Sequence, residues 1–287
     1  MSPGKFGGAE ISRSLSVDYY NRGTAYIRTD QNDRAITNLT RAIELNPRFV
    51  QAYLNRGHAY NRKGQFDRAI ADYGRSIELD PKLTLAYYNR GTAYFKKERN
   101  REAVADLSRA IELNPNLAHA YLNRGSAYYA MEKYERSIPD FSRALELNPD
   151  LAYAYLNRGG AHYITGKYDR AVSDYSKLIE IDSGFALAYF DRGLAFYRMG
   201  ELDRAISDFN RALEINPELT DSLLHRGDAY SIKREFALAL ADFSMVLERD
   251  PENAIAYYGR AKANYRMGRY GKAFADMFRA GFFWLKR

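Results

Sequence analysis

The sequence predicts an all-α protein made of eight helix–turn–helix repeats, and three observations support this. An Arg-Gly or Arg-Ala dipeptide recurs every 34 residues without insertion or deletion, and prolines keep the same period. Apolar residues within each period recur at the three- and four-residue spacing of amphipathic helices. Neither helix of one unit could bury its apolar stripe alone, so neighbouring units are expected to stack into an α-solenoid.

The dipeptides and prolines fix the register of every unit. The dipeptides are Arg22-Gly23, Arg56-Gly57, Arg90-Gly91, Arg124-Gly125, Arg158-Gly159, Arg192-Gly193, Arg226-Gly227 and Arg260-Ala261. The prolines are Pro47, Pro81, Pro115, Pro149, Pro217 and Pro251, with Ser183 in the fifth unit. We expect a flexible N-terminal lead at residues 1–15 and a single array at residues 16–287. Its units are residues 16–49, 50–83, 84–117, 118–151, 152–185, 186–219, 220–253 and 254–287.

Each unit is predicted to contain two helices, and residues 118–151 illustrate this. The first helix runs from Ala118 to Ala130, a turn follows at residues 131–133, and the second helix runs from Tyr134 to Leu147. Asn148-Pro149 then ends the second helix. Asn is tolerated in the left-handed conformation that closes many helices, and Pro cannot continue a helix but suits the start of the next one.

This pattern resembles the tetratricopeptide repeat family, and the resemblance covers residues 16–287. It rests on the glycine column, on a helix-A aromatic three residues later such as Tyr128, and on small and large columns in helix B. The small column is Ala35, Ala69, Ala103, Ser137, Ala171, Ala205, Ala239 and Ala273. The large column is Leu39, Tyr73, Leu107, Phe141, Tyr175, Phe209, Phe243 and Met277. The resemblance implies a right-handed superhelix whose first helices line a concave groove.

One column departs from the family, in which a leucine usually precedes the glycine. Here that residue is Arg in all eight units, and an acidic column in helix B matches it from Asp72 to Asp276, with Asn38 in the first unit. We hypothesise that each Arg bonds an Asp of its own helix pair or of the next one. The alternative is that both side chains extend into solvent.

The residue before each Arg forms a second polar column. It is Asn21, Asn55, Asn89, Asn123 and Asn157, and then Asp191, His225 and Gly259. The five amides resemble the asparagine ladder with which some tetratricopeptide repeat proteins hold the backbone of an extended peptide. An amide both donates and accepts hydrogen bonds, so it can match a peptide group whatever the ligand's side chains. The alternative is that Asn is simply common at this position in the family.

An aromatic column and a basic column run beside the amides. The aromatic residues are Phe95, Tyr129, Tyr163, Tyr197 and Tyr265, and the basic residues are Arg28, Arg62, Lys96, Arg198 and Arg266. We therefore expect a groove that binds an extended, acidic segment of a protein partner and so brings components of a complex together. The basic column could equally reflect the ordinary preference for cations at helix C-termini.

The composition argues against catalysis. The chain has no Cys, and its four histidines, His58, His119, His162 and His225, fall in different columns, so no metal pair at helical spacing is expected. No phosphate-binding loop or hydrolase motif occurs. We expect no enzyme activity, no catalytic residue, no cofactor and no metal. Without a signal peptide or a transmembrane stretch, a cytoplasmic location is expected.

The last unit ends in large apolar residues, where repeat arrays normally finish in a polar helix. They are Phe278, Phe282, Phe283, Trp284 and Leu285. This end could dock on its own unit, pair with a second copy of the chain, or contact a partner or a membrane surface. A structural subunit that assembles through this end is therefore the alternative function. RNA binding is a further alternative because the net charge is +7, but most helix-B charges are expected to balance as exposed Arg–Glu pairs, so nucleic acid is disfavoured.

Overall fold

The computed structural model describes residues 4–285, with side chains from residue 12 onward. Within that range sixteen α-helices follow one another and no β-strand occurs, which confirms the predicted all-α helical-repeat class. None of these sixteen helices combines the length and apolar character that a bilayer crossing requires.

Each repeat contributes two helices. The first helices are α1 (Gly4–Arg28), α3 (Val50–Arg62), α5 (Thr84–Lys96), α7 (Ala118–Ala130), α9 (Ala152–Ile164), α11 (Ala186–Met199), α13 (Thr220–Ile232) and α15 (Ala254–Arg266). The second helices are α2 (Asn32–Leu45), α4 (Phe66–Leu79), α6 (Asn100–Leu113), α8 (Tyr134–Leu147), α10 (Tyr168–Ile181), α12 (Leu202–Ile215), α14 (Phe236–Arg249) and α16 (Tyr270–Leu285). Helix α1 begins at Gly4, so most of the proposed lead at residues 1–15 lies in this helix.

The eight repeats form two larger compact bodies of four repeats each, which we call unit 1 and unit 2. Unit 1 is Met1–Pro149 and contains α1 to α8, and unit 2 is Asp150–Arg287 and contains α9 to α16. Inside each unit the two helices of a repeat pack together, and the second helix also packs against the first helix of the next repeat. Each unit therefore builds a continuous core from four repeats.

The turn between the two helices of a repeat always contains one residue at positive φ. These residues are Asp30, Gly64, Glu98, Glu132, Gly166, Gly200, Arg234 and Gly268, with φ between 57° and 80°. A residue in this left-handed conformation lets the next backbone N–H reach back to the end of the helix, as Lys133 N–H does to the Tyr128 carbonyl at 2.9 Å. Four of the eight are not glycine, so the glycines of the sequence indicate this turn in only half of the repeats.

The end of the second helix is built differently from the prediction. The expectation of a left-handed Asn148 is wrong, because its backbone is extended, with φ −146° and ψ 99°. In the equivalent position of the first repeat, the Asn46 Oδ1 accepts a hydrogen bond from the Arg48 N–H at 3.2 Å. Asp80 makes the same bond to the Lys82 N–H at 3.0 Å. The Asn or Asp before Pro therefore caps a tight side-chain turn rather than a left-handed helix end.

The glycine column lets the two helices of a repeat approach closely. A Cβ on Gly125 would lie 2.8 Å from the Phe141 ring, so only glycine leaves room for the large helix-B residue. That large column is almost completely buried in the first seven repeats, with at most 3% exposure. The exception is Met277, which is 45% exposed in the last repeat.

The hypothesis that the Arg column bonds the Asp column, within a helix pair or with the next one, is confirmed from the second repeat onward, and each Asp belongs to the same repeat as its Arg. Seven arginines make bidentate bonds, as Arg124 does to both Asp140 oxygens at 2.8 and 2.7 Å. The other pairs are Arg56–Asp72, Arg90–Asp106, Arg158–Asp174, Arg192–Asp208, Arg226–Asp242 and Arg260–Asp276. In the first repeat, where Asn38 replaces the acid, Arg22 lies 4.5 Å from the Tyr19 ring centroid.

Inside the two units, five of these arginines are seen to bond the second helix of the preceding repeat as well. Arg124 Nη1 donates to the Ser108 hydroxyl at 3.0 Å. The equivalent acceptors are Thr40, Ser176, Asn210 and Ser244. Gly74 occupies this position before Arg90, so that Arg lacks a side-chain acceptor there. Each complete set, which we call an Arg clamp, joins three helices of two repeats.

The predicted Arg–Glu and Lys–Glu pairs on the second helices are also confirmed. They are Arg41–Glu44, Arg75–Glu78, Arg109–Glu112, Arg143–Glu146, Lys177–Glu180 and Arg211–Glu214. All are three residues apart and lie on exposed helix surface, so they balance charge without adding much stability.

We expect Arg124→Met to lower the free energy of unfolding of the chain by about 3–5 kcal/mol, because Asp140 would remain buried without its partner. Chemical denaturation followed by circular dichroism measures this change. Arg143→Met, which removes an exposed cation from the same unit, is the control and should leave the free energy of unfolding nearly unchanged. Arg124→Met/Asp140→Leu should recover most of the loss, since an apolar pair needs no partner. Equal stability of Arg124→Met and the unsubstituted chain would refute the structural role of the clamp.

Candidate functional site

The predicted amide column of unit 1 lies along its first helices. Asn21, Asn55, Asn89 and Asn123 occupy equivalent positions on α1, α3, α5 and α7. Asn21 is exposed, whereas the other three are half-buried. We call the surface of unit 1 that these four residues mark, with Phe95 and Tyr129 beside them, the amide face.

Two of these amides are already engaged by the preceding repeat. The Asn55 Nδ2 donates to the Thr24 hydroxyl at 3.1 Å and to the Tyr20 hydroxyl at 3.3 Å. The Asn123 Nδ2 donates to the Thr92 hydroxyl at 3.0 Å. These threonines were not among the predicted site residues, although they lie 31 residues before the asparagines in both repeats, a spacing that is visible in the sequence. These bonds orient the two side chains and leave their carbonyl oxygens as acceptors for a ligand.

The aromatic column packs at the turn end of the first helices. Tyr129 meets Tyr134 edge-on at 5.1 Å between ring centroids, and Tyr163 meets Tyr168 at 5.5 Å in the same way. Phe95, Tyr163 and Tyr197 are half-buried, so each ring is partly used in packing. The exposed remainder of these rings is rigid and apolar, which suits contact with a ligand.

The basic column is exposed at Arg28, Arg62, Lys96 and Arg198, but three of these residues contact the preceding repeat. Arg62 donates to the Ile27 carbonyl at 3.0 Å and pairs with Asp30 at 2.9 Å, so it caps the end of α1. The Lys96 Nζ lies 5.5 Å from the Phe66 ring centroid. Arg198 lies over Tyr163 and Tyr168, at 5.8 and 5.3 Å from the ring centroids. The helix-end interpretation therefore accounts for Arg62, while Lys96 and Arg198 form cation–π contacts.

In unit 2 the amide column begins with Asn157 and then changes its chemistry. At Asp191, burial raises the pKa of the carboxyl group to about 6. His225 lies 5.8 Å from the Phe190 ring and stacks on Phe209 at 6.1 Å, and burial lowers its pKa. A Cβ on Gly259 would lie 2.5 Å from the Phe243 ring, so the last position has no room for an amide.

The large apolar residues at the C-terminal end divide into one docked ring and an exposed set. Phe283 stacks on Tyr257 at 5.8 Å between ring centroids and packs against the core of unit 2. Phe278, Phe282, Trp284 and Leu285 are between 52% and 91% exposed, so docking on the same unit accounts for only one of the five. Among the described residues, no group of three or more His, Asp or Glu side chains is placed to hold a metal ion.

Comparisons with known proteins agree on one family. A profile described as TPR repeat matches residues 23–64, 57–98 and 91–132. Profiles described as tetratricopeptide repeat match residues 122–185, 186–219 and 224–281. A search of curated proteins returned no match.

Three solved structures are similar to this chain. YrrB, a TPR protein with an unusual peptide-binding site, is 26% identical, covers 64% of this chain and 95% of its own, and has a TM-score of 0.60. MamA is 31% identical, covers 59% of this chain and 92% of its own, and has a TM-score of 0.56. A TPR repeat-containing protein from Cytophaga hutchinsonii has a TM-score of 0.71 at 17% identity, covering 84% of this chain and 98% of its own, and shows the fold alone.

His162 replaces the packing aromatic of the fifth repeat, and it should make stability depend on pH. Burial, together with the nearby Arg158, Arg170 and Lys167, lowers its pKa from 6.5 to about 4. Between pH 6.5 and pH 4 this histidine is protonated in the unfolded chain but neutral in the folded chain. It therefore lowers the free energy of unfolding as the pH falls from 6.5 to 4. Asp191 acts in the opposite direction over this range, because its pKa is raised on folding.

We expect His162→Tyr to be more stable than the unsubstituted chain at pH 5, and the difference to shrink towards pH 7. The slope of that difference should approach about 1.4 kcal/mol per pH unit between the two pKa values of the histidine. Thermal or urea unfolding at pH 5, 6 and 7 measures it, and the Asp191 contribution cancels because both proteins keep that residue. A difference that is constant with pH would show that His162 is not held neutral by the fold.

Proposed function

Because the chain belongs to the tetratricopeptide repeat family, a class of protein-interaction repeats that is generally not enzymatic, we propose that unit 1 binds an extended segment of a partner protein along its amide face. In this way the chain would bring components of a complex together. The observation that carries the proposal is the geometry of the amides. Asn55 and Asn123 are fixed by threonines of the preceding repeat, and their carbonyl oxygens have no hydrogen bond among the described residues.

Fixed acceptors on successive repeats suit a peptide backbone. An extended segment has N–H groups on both of its edges, and a side chain already held in one orientation loses little entropy when it accepts from them. Asn89 differs from its neighbours, because His58 stands where Asn55 and Asn123 meet a threonine. Asn89 makes no hydrogen bond among the described residues, so it can both donate to and accept from the segment.

Charge supports an acidic segment. Residues 1–149 contain 23 Lys and Arg but only 17 Asp and Glu, and Lys96 and Arg28 are exposed beside the amide face. A surface of this sign raises the association rate of an acidic partner and disfavours basic ones. Residues 150–253 have the opposite balance, with 12 basic and 18 acidic residues, so unit 2 is not expected to bind the same segment.

YrrB, which is 26% identical to this chain, is a TPR protein with an unusual peptide-binding site. This supports peptide binding as a class of function. Only peptide binding in general is inferred for the present chain from this likeness. The residues assigned to the amide face come from the structure of the chain itself. A soluble, cytoplasmic location is part of the same proposal.

We expect Asn89→Ala to reduce recovery of partner proteins in an affinity pull-down by about tenfold, because a loss of roughly 1.4 kcal/mol of binding free energy has that effect. The fold should be unaffected, since no protein hydrogen bond is removed. Asn55→Ala should weaken recovery as well, but it should also lower the free energy of unfolding by about 1 kcal/mol through loss of its bond to Thr24. Denaturation curves separate the two effects.

Asn38→Ala is the matched control, because Asn38 lies on α2 of the same unit and bonds only the Arg34 carbonyl, at 2.9 Å. It should leave partner recovery unchanged. Undiminished recovery with Asn89→Ala and Asn55→Ala together would place the binding site elsewhere. Salt-titrated binding of mixed RNA tests the alternative, and tight binding near physiological salt that survives both changes would favour a nucleic-acid function.

A further inference from the structure

The last repeat leaves open a surface that is covered in every other repeat of its unit. In unit 2, Tyr175, Phe209 and Phe243 are buried between their own helix pair and the first helix of the next repeat. Gly259 of α15 illustrates this cover, because its position for a Cβ is only 2.5 Å from the Phe243 ring. Met277 occupies the same column in α16 and is 45% exposed. The outer side of α15 and α16 is therefore shaped to receive a helix.

The open surface is a groove between these two helices, which we call the terminal groove. Its volume is about 650 Å³. Small residues, Ala261 and Ala273, form its floor, and Phe274 and Met277 form one wall. One aromatic pair belongs to its lining, where Tyr265 meets Tyr270 at 5.4 Å between ring centroids. A second pair lies further along the same two helices, where Tyr258 meets Trp284 at 5.6 Å.

More apolar side-chain surface is exposed in and beside this groove than on an ordinary solvent-facing helix. Tyr265, Tyr270 and Phe274 are 61%, 64% and 76% exposed, and Trp284 is 52% exposed. An aromatic side chain has an area of about 150–250 Å². These rings and Met277 therefore leave roughly 500 Å² of apolar side chain open to solvent, a substantial part of the ~800 Å² that one partner buries in a standard interface.

The groove is not built for another repeat of this chain's own type. The position that accepts the Arg of the next repeat is a hydroxyl or amide at Ser176, Asn210 and Ser244, but it is Phe278 in the last repeat. A further helix carrying the same Arg would meet an aromatic ring instead of an acceptor. Trp284-Leu285 also replaces the Asn-Pro or Asp-Pro that follows six of the other second helices, and α16 continues to Leu285.

Charge indicates the chemistry of the occupant. Residues 254–287 contain eight Lys and Arg and one acidic residue, Asp276, which is paired with Arg260. Lys262 and Arg266 line the terminal groove itself. End-to-end pairing of two copies would bring two such positive surfaces together, which costs free energy. An occupant with acidic residues beside its apolar face would gain instead.

We propose that the terminal groove binds an amphipathic helix of a partner protein, with acidic residues on both sides of the helix's apolar stripe. The groove supplies the apolar floor and walls, and Lys262 and Arg266 supply the charged edge. This site lies on the opposite surface of α15 from the helix it covers in the preceding repeat, and it does not depend on the function proposed for the amide face.

The only tryptophan of the chain, Trp284, lies on α16 seven residues after Met277 of the groove lining. A helix of five turns seated in the groove reaches that far, so Trp284 reports on occupancy. The probe is a synthetic helical peptide of about 18 residues, five turns long, with Leu and Ala along one face and Glu on both sides of it. Adding it to the whole chain should shift the Trp284 fluorescence to shorter wavelength with saturation. The same peptide with Lys in place of Glu should bind at least tenfold more weakly.

Two variants test the two halves of the proposal. Phe274→Asp should weaken binding of the Glu peptide at least tenfold, while Leu238→Asp, which changes an exposed apolar residue of α14 outside the groove, should not change it. Lys262→Glu/Arg266→Glu should reverse the preference, so that the Lys peptide binds more tightly than the Glu peptide. Thermal melts of each variant establish that it is folded.

Several results would overturn the proposal. Absence of a fluorescence shift with the Glu peptide would do so, as would equal affinity for both peptides in the unsubstituted chain. A shift with vesicles of phosphatidylserine and phosphatidylcholine but not with the peptide would assign the groove to a lipid surface. A dimer in sedimentation that Phe274→Asp dissociates, with no peptide binding, would assign it to a second copy.

Discussion

The bidentate Arg–Asp pair is the interaction on which the repeat geometry depends. The Arg of each pair lies on the first helix, and its Asp lies 16 residues later on the second helix. Inside each unit a third contact lies 16 residues earlier wherever that position carries a hydroxyl or an amide. One guanidinium group therefore fixes the separation of helices on both sides of it. An insertion in either loop would move one acceptor out of reach, which gives a physical reason for the unbroken 34-residue period.

A buried ion pair contributes little net stability, since desolvation offsets most of the attraction, but it penalises every alternative register in which one charge loses its partner. The stability itself comes from the packed columns beside the pair. Large side chains such as Phe141 fill the space left by Gly125, and alanines such as Ala127 and Ala144 are completely buried. The two devices are complementary, because columns of similar apolar side chains could slip by one helical turn, whereas such a slip would separate the Arg from its acceptors.

Periodicity made most of the fold predictable from the sequence. The helices Ala118–Ala130 and Tyr134–Leu147 were predicted with the bounds that the structure has, because eight copies of one pattern average out local exceptions. The Asn148 conformation was predicted wrongly, since an Asn that ends a helix can either turn left-handed or cap a side-chain turn, and sequence alone does not choose. The candidate site was predicted only in outline. Which Asn donors are occupied depends on whether Thr or His stands opposite in the preceding repeat, and this is a contact between repeats.

Departures from the columns are informative for the same reason that the columns are. Where a column makes the same contact in every repeat, that contact accounts for the residue type. A change of residue in one repeat then needs a cause in that repeat. Gly259 has one, because Phe243 fills the space. Phe278 stands where earlier repeats carry the acceptor of the Arg clamp, and its side chain is 71% exposed. In a repeat array each neighbour normally supplies the missing face, so an exposed aromatic residue in place of a polar one is the feature that the helix proposed for the terminal groove would account for.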